Sequence, residues 1–105
     1  MEKKQPILNF IQAIEIQTGG IVSKQIIKQE TGNVTLFAFD KDQQLSEHTA
    51  PFDALVNILS GTASITINGE KHQLKTGEAV IMPANIPHAL YATEPFRMLL
   101  TMIKK

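Results

Sequence analysis

The chain has 105 residues, 43% of them hydrophobic, with ten Lys and Arg balanced by ten Asp and Glu and no cysteine. A chain of this length supports one hydrophobic core and no second, and zero formal net charge leaves no general field to draw in nucleic acid or an anionic membrane surface. Without thiols there is no disulfide framework, thiolate centre or cysteine nucleophile, so any metal would rest on imidazoles, carboxylates, carbonyls or water.

Residues 1–20, MEKKQPILNFIQAIEIQTGG, start with charge, but Asn9, Gln12, Glu15 and Gln17 break the apolar stretch and no small-residue cleavage pattern follows. A cytoplasmic address is the expectation from that pattern. No apolar run approaches the roughly 20 residues that a membrane-spanning helix needs. Ile7, Phe10, Ile11 and Ile14 recur at helical spacing, which predicts a short amphipathic helix or turn. The 1–20 segment is therefore expected to pack on the rest of the domain or on a partner subunit.

After Thr18-Gly19-Gly20 the pattern changes to short β-branched and aromatic runs punctuated by turn residues. Strands are predicted at 21–28, 33–40, 45–50, 53–59, 62–67, 70–74, 78–82, 88–92 and 96–103. The separators include Thr31-Gly32-Asn33, Asp40-Lys41-Asp42, Ser60-Gly61, Thr76-Gly77 and Pro83-Ala84-Asn85. Asn68-Gly69 predicts a two-residue hairpin, because such a turn needs positive φ at both central residues. Short strands at this spacing predict an all-β barrel or sandwich over 21–105, with alternate side chains turned inward.

Three histidines carry the candidate chemistry. A lone histidine is more often a satisfied structural group than a ligand, and His72 takes that reading first: it shares strand parity with Leu74, so it faces inward and is a candidate to line a pocket. His48 and His88 stand in more telling surroundings. His48 lies in SEHTAPFDALVNILSG (46–61), where a polar strand end passes through Pro51 into an apolar strand closed by Gly61. His88 lies in GEAVIMPANIPHALYA (77–92), where a glycine turn, an apolar strand and two prolines lead into the next strand.

Together these segments resemble the paired motifs of the cupin superfamily. In that family the first motif runs glycine, His-x-His, glutamate, glycine, and the second runs glycine, proline, glycine, His, asparagine. His48, Gly61, Gly77, Pro83 and His88 match at the family's spacing. Asp42 stands at the opening glycine, Ala50 at the second His, Ala54 at the glutamate, Asn85 at the second motif's inner glycine and Ala92 at the asparagine. Asn85 is the mild change, since asparagine tolerates left-handed backbone.

The resemblance covers about residues 33–103 and implies a double-stranded β-helix, the jelly-roll barrel of small single-domain cupins. It also implies a divalent metal (Mn, Fe, Ni or Zn) held by three His and one Glu, of which only His48 and His88 remain. Such a metal would be weakly held, with water filling most of its shell. Asp53 and Glu47 each lie one residue before a ligand position and would point to the opposite face of a regular strand. A bulge near Pro51 would be needed to turn Asp53 into the pocket; otherwise Asp53 caps a turn and Glu47 is solvated. Met82 reads as a flexible wall of the pocket rather than a ligand of a hard ion. Phe37, Phe39, Phe52, Tyr91 and Met98 are expected to build the core or the mouth of the barrel, Tyr91 being a further pocket candidate.

Three functions stay open on these residues. The first is a cupin that binds a small organic molecule or a loosely held metal. The second is a metal-dependent dioxygenase, isomerase or decarboxylase using His48 and His88, or a metal-free enzyme using one of them as general acid or base. The third is a structural or interaction barrel with two buried histidines. The family's habit of pairing implies a homodimer, to which the apolar 7–16 and 21–27 segments would contribute.

Overall fold

Alternating apolar and polar residues in short runs bury one face of each strand, and two sheets that share such faces make the core. The computed structural model describes residues 5–104, so residues 1–4 of the expected N-terminal segment and Lys105 lie outside the described residues. Nine strands follow one another: β1 (Ile21–Gln29), β2 (Gly32–Phe39), β3 (Gln44–His48), β4 (Asp53–Ser60), β5 (Thr62–Ile67), β6 (Glu70–Lys75), β7 (Ala79–Met82), β8 (His88–Tyr91) and β9 (Phe96–Ile103). They form a five-stranded sheet ordered β1-β2-β9-β4-β7 and a four-stranded sheet ordered β3-β8-β5-β6. Every pairing between them is antiparallel.

The core lies between the sheets. Phe39 and Phe96 are fully buried and stack with centroids 4.6 Å apart. Val56, Ile58, Ala63, Ile65, Leu74 and Met98 close around them. The hairpin at Asn68-Gly69 has φ of 50° and 79°, positive at both central residues as expected. Gly61 serves a stricter need. Its φ is 86°, and a Cβ there would sit 2.1 Å from the Pro95 carbonyl oxygen. Asp42 and Asn85, which replace motif glycines, also take positive φ, 69° and 64°. The two turns thus keep the backbone shape without the glycines.

No helix forms among the described residues of the N-terminal segment. Residues 10–12 make a single turn, in which the Ala13 amide donates to the Asn9 carbonyl at 2.8 Å and the Gln12 amide to the Asn9 side chain at 3.1 Å. One turn gains too few hydrogen bonds to carry a helix on its own, and the segment is held instead by packing. Ile14 is buried against Leu36 and Ala38 on the outer face of β2, with Phe10 beside it. Arg97 ties it down, its Nε–H donating to the Ile14 carbonyl at 2.8 Å.

Candidate functional site

The site is set by an irregularity in β3. Leu45 pairs with Leu90 and His48 with His88, so three steps on β3 span two on β8. The extra residue is a bulge at Ser46-Glu47, and it decides which side chain faces in. On a regular strand that turns Leu45 inward, Glu47 would follow and His48 would face solvent. The bulge reverses this and brings His48 opposite His88. A bulge near Pro51 would have been needed to turn Asp53 inward; the bulge in β3 lies earlier and selects His48 instead.

The two imidazoles meet with ring centroids 4.3 Å apart and planes at 72°. Their Nε2 atoms are 3.1 Å apart. Each Nδ1 lies against the carbonyl two residues earlier, His48 with Ser46 at 2.8 Å and His88 with Ile86 at 3.2 Å. A carbonyl oxygen only accepts, so both Nδ1 atoms carry the proton and donate. In neutral rings both Nε2 lone pairs therefore point into the space between them. Two lone pairs at this distance repel unless a proton or a cation lies between them. His88 is buried and His48 is exposed at the rim. Burial is the main influence holding the His88 pKa below the ordinary 6.5; the bond to Ile86 opposes it, and repulsion from His48 adds to it.

The pair opens on a cup of about 80 Å³ between the sheets. Phe37, Leu45, Leu90 and Leu100 supply its apolar wall, Met82, Met98 and Met102 its thioethers, and Ala50 and Ala54 its two smallest positions. All four positions of the expected ligand set thus line one cavity, two as imidazoles and two as alanines. Met102 and Leu100 were not singled out from the sequence, although they share the strand parity of Met98 and their inward direction was readable from it.

Three of the four pocket candidates, Tyr91, Asp53 and His72, do not line the cup. Tyr91 lies three residues beyond His88 and so on the opposite face of β8. Its hydroxyl donates to Asp42 Oδ1 at 2.6 Å, a bond that raises the phenol pKa above 10.0. It faces the outer surface of the four-stranded sheet, across a groove of about 460 Å³ whose lining includes the hydroxyls and amide of Ser46, Thr66 and Gln73. That groove is larger than the cup, and Glu47, Lys71 and Tyr91 are among the residues that line it. Asp53 also stays outside the cup, where Oδ1 accepts the Ala84 amide at 2.9 Å. With the Asn85 amide donating to the Ala50 carbonyl at 2.7 Å, it fastens the turn before β8 to the connection before β4. Asp53 positions the site rather than joining it. His72 shares the inward face of β6 with buried Leu74 and pairs with Ile65, but it is half-buried and does not line the cup. Met82 does line it, opposite Ala54, and Glu47 is exposed at the bulge.

These residues fit a cation in part. For metal–nitrogen bonds of about 2.0–2.1 Å, nitrogens 3.1 Å apart subtend roughly 95–100° at the metal. That is the angle between neighbouring ligands of one ion. The remaining half of a four-ligand set for a hard divalent metal does not fit, because alanines occupy both positions. Among the described residues no group of three or more His, Asp or Glu side chains is placed to hold an ion. No helix among them is long and apolar enough to cross a membrane.

Comparison with known proteins agrees with this architecture. A family model described as a cupin domain matches residues 35–103. The crystal structure of SPY1581, a conserved protein of unknown function from Streptococcus pyogenes, is 38% identical. It superposes with a TM-score of 0.92 over 99% of this chain and 91% of that one. A cupin 2 conserved barrel domain protein from Leptotrichia buccalis is 40% identical with a TM-score of 0.89, over 92% of this chain but only 47% of that protein. An uncharacterized protein of Aquifex aeolicus is 26% identical over 98 residues, 91% of this chain and 81% of that one.

Proposed function

The chain belongs to the cupin domain family, and from that premise we propose that it is a binding cupin, whose cup takes a small organic molecule or a weakly held divalent metal at the His48–His88 pair. Family membership alone does not name a chemistry, which lives in the site. The observation that carries the reading is the pair itself: two Nε2 lone pairs held 3.1 Å apart by backbone bonds at both Nδ1 atoms, at the edge of an apolar cavity. A pocket of this kind holds an apolar body by burial and fixes its polar end through a few placed groups. A divalent ion bound there (Mn, Fe, Ni or Zn) would have only two protein ligands, so ligand oxygens or water must complete its shell. Among the described residues no carboxylate lines the cup, which favours binding over the enzymatic alternative.

We further propose that the chain works as a homodimer. Supporting this, Leu55, Ile81 and Ile103 are exposed on the outer face of the five-stranded sheet, and Leu55 pairs directly with Ile81. Ile7, Leu8 and Ile11 are exposed on the N-terminal segment. Apolar groups gathered in this way mark a surface that meets another protein.

Native mass spectrometry and elemental analysis of untagged protein test the binding function. Wild type should retain a small molecule, a metal or both, and the His48→Ala, His88→Ala double variant should lose them. Equal retention by the two proteins would remove the pair from the function.

A further inference from the structure

The cup differs from a hard-metal site in what replaces the missing ligands. Ala54, at the expected glutamate position, lies in β4 between Met82 of β7 and Met102 of β9, each its direct cross-strand partner. Directly opposed residues have Cβ atoms about 4.5–5.5 Å apart, and all three side chains line the cup with His48 and His88. Shortening the central residue to alanine leaves two flexible thioethers to cover the space that a carboxylate would have filled. The donors of the cup are thus imidazole nitrogen and thioether sulfur.

We infer that the cup is a soft-cation site in which His48, His88, Met82 and Met102 bind Cu(I). This rests on the reading of the histidine pair as the polar pole of the cup. Three properties of the site agree on the ion. Thioether and imidazole donors suit Cu(I), whereas hard divalent ions prefer oxygen. Among the described residues no carboxylate lines the cavity, and the cost of desolvating an ion without an anionic ligand rises with the square of its charge, which favours a monovalent ion over a divalent one. The angle of roughly 95–100° implied by nitrogens 3.1 Å apart rules out a linear two-coordinate ion, so further donors must come from the cup side. Met82 and Met102 flank that side. Met82 is buried and Met102 half-buried, so the sulfur ligands are shielded from bulk water.

The test is an anaerobic titration of the full chain with Cu(I) against a competing chelator, and in parallel with Zn(II) and Mn(II). The variants are Met82→Leu with Met102→Leu, which conserves volume and apolarity, and His48→Ala with His88→Ala. Wild type should bind one Cu(I), more tightly than either divalent ion, with sulfur neighbours in the X-ray absorption spectrum. The double leucine variant should lose at least about tenfold in Cu(I) affinity while keeping its Zn(II) affinity, and the double alanine variant should lose both. Unchanged Cu(I) affinity in the leucine variant overturns the inference, as does a wild type that binds Zn(II) through the pair and Cu(I) no better, and both results leave the proposed function standing. A wild type that binds none of these ions and retains no small molecule overturns the inference and the proposed function together.

Discussion

At the scale of single residues, two kinds of position control the site. His88 is one. Its pKa is lowered chiefly by burial, so in the acid range the unfolded chain binds a proton that the folded chain refuses. The stabilisation is fully present above the ordinary value of 6.5 and is lost as pH falls through the lowered folded value. In metal-free protein the urea midpoint should therefore fall between roughly pH 7.5 and roughly pH 5 by more in wild type than in His88→Gln; equal falls would show that His88 is not responsible. Glycines with positive φ at turns are the other kind. Gly61→Ala meets both a positive φ and the Pro95 carbonyl, and should cost about 2–4 kcal/mol in urea unfolding. Gly69→Ala meets the same sign of φ but open space, and should cost only about 1–2 kcal/mol. Similar losses would mean that the close approach at Gly61 is relieved by movement of β9.

At the scale of elements, the strands were legible because alternation and turn chemistry agreed at almost every step. The predicted 53–59 and 62–67 match β4 and β5 within one residue. The predicted 45–50 stops earlier, at His48, where β3 ends. The bulge in β3 was not legible: nothing in Ser46-Glu47 demands an extra residue, and its place is fixed by pairing with β8, a contact distant in sequence. The fate of Tyr91 was within reach, since counting parity from His88 puts it outside. The N-terminal segment shows the opposite limit. Its helical spacing was genuine, yet one turn is all that forms among its described residues, and Ile14 supplies its anchor. Ile14→Ala should cost about 2 kcal/mol and should raise amide exchange in residues 9–16 more than in β4 or β9. Uniform exchange across the chain would show that the segment and barrel open as one unit.

At the scale of the whole molecule, the barrel uses its two faces differently. The inner face presents the imidazole pair and the cup, and the outer face of the five-stranded sheet presents Leu55, Ile81 and Ile103. If that outer face is the dimer surface, Ile81→Lys should shift sedimentation from dimer to monomer at micromolar concentration, and an unchanged dimer would move the interface elsewhere. The fold was readable from one chain because many weak signals converge on it; the site was readable only as far as His48 and His88, because the residues that complete the cup are ordinary core side chains until the strands are paired. The central claim is that these two histidines act as one group, and ring nitrogen NMR of the three histidines during a Zn(II) titration tests it most directly. The Nε2 resonances of His48 and His88 should move together and saturate at the same added metal, with both Nδ1 sites still protonated and His72 unmoved. Independent titration of the two rings, or a response led by His72, would contradict it.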